Sequence, residues 1–145
     1  MIAMRNLISK HFPRLLAVLG CSTLVTACYG VPYDDFHATV TGTVLDAETG
    51  EPIRGISVKM TAGSRTQAAD NPVQSFVPVG DQASEITDAD GVFSGYVRGY
   101  GEPDGIMIEC IDIDGEMNGS YYHKSSVFKL SDMEDIEISL ERIDD

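Results

Sequence analysis

Residues 136–140 read Ile-Glu-Ile-Ser-Leu, with apolar and polar side chains in strict alternation. A period of two puts Ile136, Ile138 and Leu140 on one face and Glu137 and Ser139 on the other. That suits a strand with one wet face and does not suit a helix. The pattern recurs at Ile56, Val58 and Met60, set against Ser57 and Lys59. After residue 27, apolar residues nowhere recur at helical spacing over the ~10–12 residues that a helix needs. The body of the chain is therefore expected to be built from strands.

The expected strands are Ala38–Leu45, Ile53–Met60, Val92–Val97, Ile106–Ile113, Ser125–Leu130 and Ile136–Ile143. Turn-forming Asp, Gly and Pro separate them at residues 46–52, 87–91, 98–105 and 114–120. Residues 62–83 are polar and hold Gly63, Pro72, Pro78 and Gly80. They read as a long surface loop, pinned by Phe76 and Val77. Six or seven short strands with such turns predict an all-β fold, an antiparallel β-sandwich. The length of 145 residues leaves room for one ordinary domain, and 43% apolar residues suffice for its core.

Charge divides the chain in two. Residues 1–27 hold Arg5, Lys10 and Arg14 and no acid, which leaves seven basic against 23 acidic residues from position 28 onward. So acidic a body is no nucleic-acid binder, because phosphate contacts need a basic face. The leader reads as a secretion signal, with a basic region, the apolar run Leu15–Val25 and then the small residues Thr26 and Ala27 before Cys28. The run falls short of the ~20 apolar residues of a membrane span.

Val25-Thr26-Ala27-Cys28 resembles a bacterial lipobox. The resemblance implies cleavage before Cys28 and acylation of its thiol and new amine. Each buried CH₂ contributes ~0.8 kcal/mol, so two or three chains hold a protein on a membrane that one holds marginally. Other readings stay open: ordinary signal-peptidase cleavage after Ala27, an uncleaved anchor, and lipidation at Cys21. Lipidation at Cys21 would leave an apolar region of about five residues, too short for a signal. The expected organisation is residues 1–27 as signal peptide, 28–36 as lipidated terminus and tether, and 37–145 as the β-domain.

Several residues invite chemistry. Asp112, Asp114, Glu116 and Asn118 offer oxygen side chains at alternate positions, and Asp88 and Asp90 form a second acidic turn. Calcium favours such hard ligands, so calcium-dependent adhesion is one reading. Gly115 is misplaced for an EF-hand loop, however, and Asp-x-Asp-Gly is ordinary turn chemistry. The balance favours structural turns and assigns no metal. Cys110 lies in an apolar strand and reads as a small buried hydrophobe. His37 and His123 have no metal-ligand spacing, and Ser125 and Ser126 near His123 make no triad motif. Tyr96, Tyr100, Tyr121 and Tyr122 form a candidate aromatic surface for a sugar or a protein, or simply pack between strands. No catalytic residue and no cofactor site is assigned, and the expectation is a binding module rather than an enzyme.

The segments Gly42-Thr-Val44, Gly50-Glu-Pro-Ile-Arg-Gly-Ile-Ser-Val58 and Thr87-Asp-Ala-Asp-Gly-Val-Phe93 resemble the carboxypeptidase regulatory-like, or transthyretin-like, domain. That resemblance implies an Ig-like β-sandwich. Cys28-Tyr-Gly-Val-Pro-Tyr33 and Asp112-Ile-Asp-Gly-Glu-Met-Asn-Gly119 resemble the lipoproteins associated with a radical SAM enzyme in Bacteroidetes. This second resemblance implies a genomic association with a radical SAM enzyme, and an alternative to the binding module is a substrate or carrier of that enzyme's maturation system. The lipid anchor places the expected protein in the cell envelope, at the outer membrane. Its expected partners are the membrane itself and an envelope protein or glycan, with the radical SAM enzyme as a further one.

Overall fold

The computed structural model describes residues 35–67 and 70–144. They form seven strands: β1 (Asp35–Asp46), β2 (Ile56–Arg65), β3 (Phe76–Ile86), β4 (Val92–Tyr100), β5 (Gly105–Asp112), β6 (Lys124–Lys129) and β7 (Ile136–Leu140). A single turn of 3₁₀ helix at Leu130–Asp132 precedes β7. The expected all-β class is what the described residues show.

The spatial order is β6-β5-β2-β3-β4-β1-β7. Every pairing is antiparallel except β1 with β7, which run parallel from Gly42 opposite Ile136 to Asp46 opposite Leu140. The sheet is thus mixed, which corrects the all-antiparallel expectation. The last strand returns alongside β1 and runs in the same direction. Alternation within a strand fixes which face is buried but not the direction of a neighbour.

The sheet curls toward a barrel. Its two ends approach each other just before β6 and just after β7. There the Tyr122 N–H donates to the Glu141 carbonyl at 3.0 Å and the Ile143 N–H donates to the Ser120 carbonyl at 2.8 Å. The Lys124 ammonium adds a bond to the Ser139 carbonyl at 2.8 Å. Inside the curl, Val40 and Val44 of β1, Phe93 and Val97 of β4, and Ile138 and Leu140 of β7 pack in one cluster with β2 and β5. From β2 come Val58 and Met60; from β5 come Ile106, Ile108 and Cys110. Burying each such aliphatic or aromatic side chain contributes roughly 1.5–3 kcal/mol.

The segment expected as a long loop is the main correction. β2 runs on to Arg65 and β3 covers residues 76–86, so the connection between them is only residues 66–75. The β3 burial pattern shows no alternation, because both its faces are largely wet. It is held by pairing with β2 rather than by an apolar stripe. Pro78 and Gly80 are tolerated because the ladder is broken there. Thr61 pairs with Gln82 and Gly63 with Pro78, so three β3 residues oppose Ala62. Prolines and glycines inside sheets gather at such bulges. The bulge carries β3 away from β2 to meet β4 at a single pair, Gly80 with Gly99. A Cβ on Gly80 would collide with the Arg98 carbonyl oxygen.

Smaller differences concern strand ends. β1 begins at Asp35, two residues before the expected boundary at 37, and Phe36 packs against the core. Ile53 belongs to the core without belonging to a strand, since β2 begins at Ile56. β4 reaches Tyr100, and β7 stops at Leu140 rather than at Ile143.

Candidate functional site

β4 alternates exposed and buried along its whole length, from exposed Val92 to exposed Tyr100. Its even-numbered residues therefore all project outward, and its odd-numbered ones point into the core. The register with β1 sets Thr39 opposite Tyr96, His37 opposite Arg98 and Asp35 opposite Tyr100. One sheet face thus gathers the aromatic residues His37, Tyr96 and Tyr100. The two tyrosines are 59% and 50% exposed, although their rings are large and apolar.

Strand geometry also sets the spacing on this face. Four residues at ~3.3 Å each place Tyr96 and Tyr100 about 13 Å apart along β4. His37 sits diagonally across from Tyr96, with ring centroids 5.8 Å apart and planes inclined by 13°. Diagonal neighbours on paired strands are within reach of aromatic side chains. The Arg98 guanidinium lies 3.8 Å from the Asp35 carboxylate, with both groups about half exposed. Such a surface pair contributes little to stability, but it cancels the charge of the face.

The other expected members of an aromatic surface are elsewhere. Tyr122 is exposed beside the groove where β6 and β7 approach each other, a space of about 460 Å³ lined also by His123, Lys124 and Glu141. Tyr121 is 7% exposed and part of the core. Its hydroxyl donates to Asp46 Oδ2 at 3.0 Å. Asp46 Oδ1 accepts the N–H groups of Glu48 at 2.8 Å and Thr49 at 3.1 Å. The Glu48 and Thr49 N–H groups, helped by Tyr121 and Arg142, hold the Asp46 carboxyl below the usual carboxylate range. Burial raises the Tyr121 phenol, and the bond to Asp46 raises it further.

The acidic turns spend their oxygens on the backbone. Asp112 accepts the Asp114 N–H at 3.2 Å and the Tyr121 N–H at 3.0 Å. Asp88 Oδ1 accepts the N–H groups of Asp90 and Val92, each at 2.9 Å. Asp114 accepts from the Asn118 amide through Oδ2, while its Oδ1 is buried without a partner. Among the described residues, no group of three or more His, Cys, Asp or Glu is arranged to hold a metal.

His123 Nε2 lies 3.2 Å from Ser125 Oγ and 3.9 Å from Glu109 Oε1. A relay needs the acid on the ring nitrogen opposite the nucleophile. Here both neighbours face one nitrogen, so the three residues form no triad. Cys110 is fully buried in β5, and burial pushes its thiol up to about 12. The lipidation candidates Cys28 and Cys21 lie outside the described residues.

No family model matches the chain, and no curated protein matches it. Among solved structures, it is similar to part of a 9R-lipoxygenase from Cyanothece PCC8801, at 17% identity and a TM-score of 0.41. The match covers 72% of this chain and 17% of the lipoxygenase chain, so it concerns a small part of that enzyme. Among the described residues, no helix is long and apolar enough to cross a membrane.

Proposed function

We propose that the chain is a cell-envelope lipoprotein, anchored through Cys28 at the outer membrane, whose β-domain acts by binding rather than by catalysis. The observation that carries the anchor is the order of its leader. Three basic residues, an apolar run and two small residues precede Cys28 without one acid among them. Acyl chains on that cysteine would supply the membrane affinity that the acidic body lacks. The binding role is supported by the outward face of β1 and β4, where two half-exposed tyrosines stand beside His37. Contiguous exposed apolar surface is where contact sites are sought.

The finer fold is part of the same proposal. The strands are taken as those of the carboxypeptidase regulatory-like, Ig-like sandwich, with β3 crossing between its two layers. The segment Gly50–Val58 supports this reading. Pro52 bridges back to Leu45, and Gly50 and Gly55 have φ of 71° and 83°, where glycine is favoured.

The anchor is tested by feeding cells an alkyne-tagged fatty acid and comparing the native protein with Cys28→Ser. Label on the native chain and none on the variant, with the variant lost from the membrane fraction, is the expected result. An unlabelled native chain would reduce the proposal to that of a secreted protein that diffuses freely.

A further inference from the structure

We infer that the outward face of β1 and β4 is a platform for a neutral glycan, bound as a short oligosaccharide stretch rather than as a single sugar ring. This deepens the binding role proposed above for the same face.

The first argument is charge. From residue 28 onward the chain has seven basic and 23 acidic residues, so most of its surface repels anions and attracts cations. The outward positions of β1 and β4 depart from this. Their charged residues are Asp35 and Arg98, and these two face each other at 3.8 Å. The remainder carry hydroxyls, aromatic rings or aliphatic groups. An electrically balanced plane in an acidic body selects against ionic polymers of either sign. An anionic chain gains no surplus of positive charge here, and a cationic one is better held elsewhere on the surface.

The second argument is the mixture of groups. A sugar ring presents C–H groups on its flat faces and hydroxyls around its rim. Tyrosine meets both, since the ring face carries negative quadrupole charge and the phenol accepts and donates hydrogen bonds. Thr39 lies directly opposite Tyr96, and Arg98 stands between the two tyrosines on β4. Polar donors thus lie beside each aromatic face, where a sugar rim would meet them. A protein partner would be better served by an apolar centre with a polar rim. Here hydroxyls are interleaved with the rings.

The third argument is span. Tyr96 and Tyr100 are about 13 Å apart on a rigid strand. Both are reached together by an extended chain of sugars and not by one ring. The strand holds their spacing before binding, which limits the ordering cost.

The test is native gel electrophoresis of the full-length protein in a polyoxyethylene detergent, chosen because it has no sugar headgroup. Gels are cast with no polysaccharide, with a neutral β-glucan, α-glucan or mannan, or with anionic alginate. The acidic protein migrates freely in the plain gel. At least a twofold retardation in one neutral gel is expected, with none in alginate. Tyr96→Ala/Tyr100→Ala should restore free migration, and Tyr122→Ala, which alters an exposed tyrosine off this face, should not. If the double variant has lost its native circular dichroism, His37→Ala replaces it and should weaken the retardation. Lack of retardation in all three neutral gels overturns the proposal. So does retardation that survives the Tyr96 and Tyr100 substitutions, or that appears only in alginate. A protein captured by the native face and released by the double variant, without neutral-gel retardation, also overturns it. Fatty-acid labelling separates the two readings. A labelled chain that is not retarded overturns the glycan platform alone, and a retarded chain without label overturns the anchor alone.

Discussion

The Tyr121 hydroxyl donates to Asp46 Oδ2 at 3.0 Å, joining the end of β1 to the residues before β6 across 75 positions of the chain. The Arg142 guanidinium carbon lies 6.0 Å from the centre of the Tyr121 ring, and Tyr121 bridges to Arg142 as the two ends of the sheet approach. Tyr121→Phe would remove this donor and leave a buried carboxylate oxygen short of a partner. Hydrogen bonds to charged groups contribute about 1.5–3 kcal/mol, so a loss in that range is expected from urea unfolding. Asp46→Ala should cost more, because it also frees the Glu48 and Thr49 N–H groups. A Tyr121→Phe protein as stable as the native one would mean that water satisfies Asp46.

The same carboxylate sets an acid limit. The Glu48 and Thr49 N–H groups hold Asp46 below its usual 3.8 in the folded protein. A group depressed by folding contributes stability above its unfolded value and loses it as pH falls through its folded one. The melting temperature should therefore fall below about pH 4, more steeply in the native protein than in Asp46→Asn. Parallel profiles for the two proteins would assign the acid transition to other carboxylates.

Cys110 and Tyr121 set the alkaline limit with the opposite sign. Burial raises both, the thiol to about 12 from 9.0 and the phenol above 10.0. Their contribution is complete below the unfolded values and is lost as pH rises through the folded ones. Stability should decline from about pH 9 upward. Ellman's reagent at pH 8 should leave Cys110 of the folded Cys21→Ser/Cys28→Ser protein unreacted and titrate it fully in urea, since only an accessible thiolate is a nucleophile. Rapid reaction without urea would show that β5 opens.

Much of this architecture is legible in the residues. Ile136, Ile138 and Leu140 announce β7, and the alternation around Val58 announces β2, because burial on one face leaves a period of two. β3 is not legible. Both its faces are wet, and Pro78 and Gly80 imitate loop chemistry while serving a bulge. The parallel turn of β7 onto β1 is invisible for another reason: it depends on where the chain returns, not on any local pattern. Tyr96 and Tyr100 could be placed on one face by counting residues. Tyr121 could be separated from Tyr122 only by finding its partner Asp46, 75 positions away.

Gly55 ties the motif of the first turn to the acidic loop. Its φ is 83°, and a Cβ there would run into the Asp114 carboxylate. Gly55→Ala should therefore cost backbone strain of ~1–3 kcal/mol plus displacement of the 114–118 loop. The two costs separate in a double-mutant cycle. Asp114→Ala removes the collision and leaves the strain, so the pair Gly55→Ala/Asp114→Ala should be more stable than the sum of the single changes predicts. Strict additivity would mean that Asp114 moves aside freely.

The crossing of β3 onto β4 gives the last prediction. β3 reaches β4 at one pair, Gly80 with Gly99; Gly80 has no room for a side chain, and Gly99 has room only if its neighbour shifts by a few tenths of an ångström. On Gly80 the obstacle is the Arg98 carbonyl, which is backbone and cannot rotate away; on Gly99 it is Ala62 Cβ at 3.0 Å. The two substitutions should differ. Gly99→Ala meets a side chain in a buried layer and is expected to cost about 1–3 kcal/mol by overpacking. Gly80→Ala must push two backbones apart where a single pair connects them, so it should detach β3 from β4. Amide exchange would report this as lost protection at Gly80 and Gly99, with protection retained in residues 82–86, which pair with β2, and in β5 and β7. Uniform loss over all strands would instead show that the sheet unfolds as one cooperative unit and that the crossing is not a separable joint.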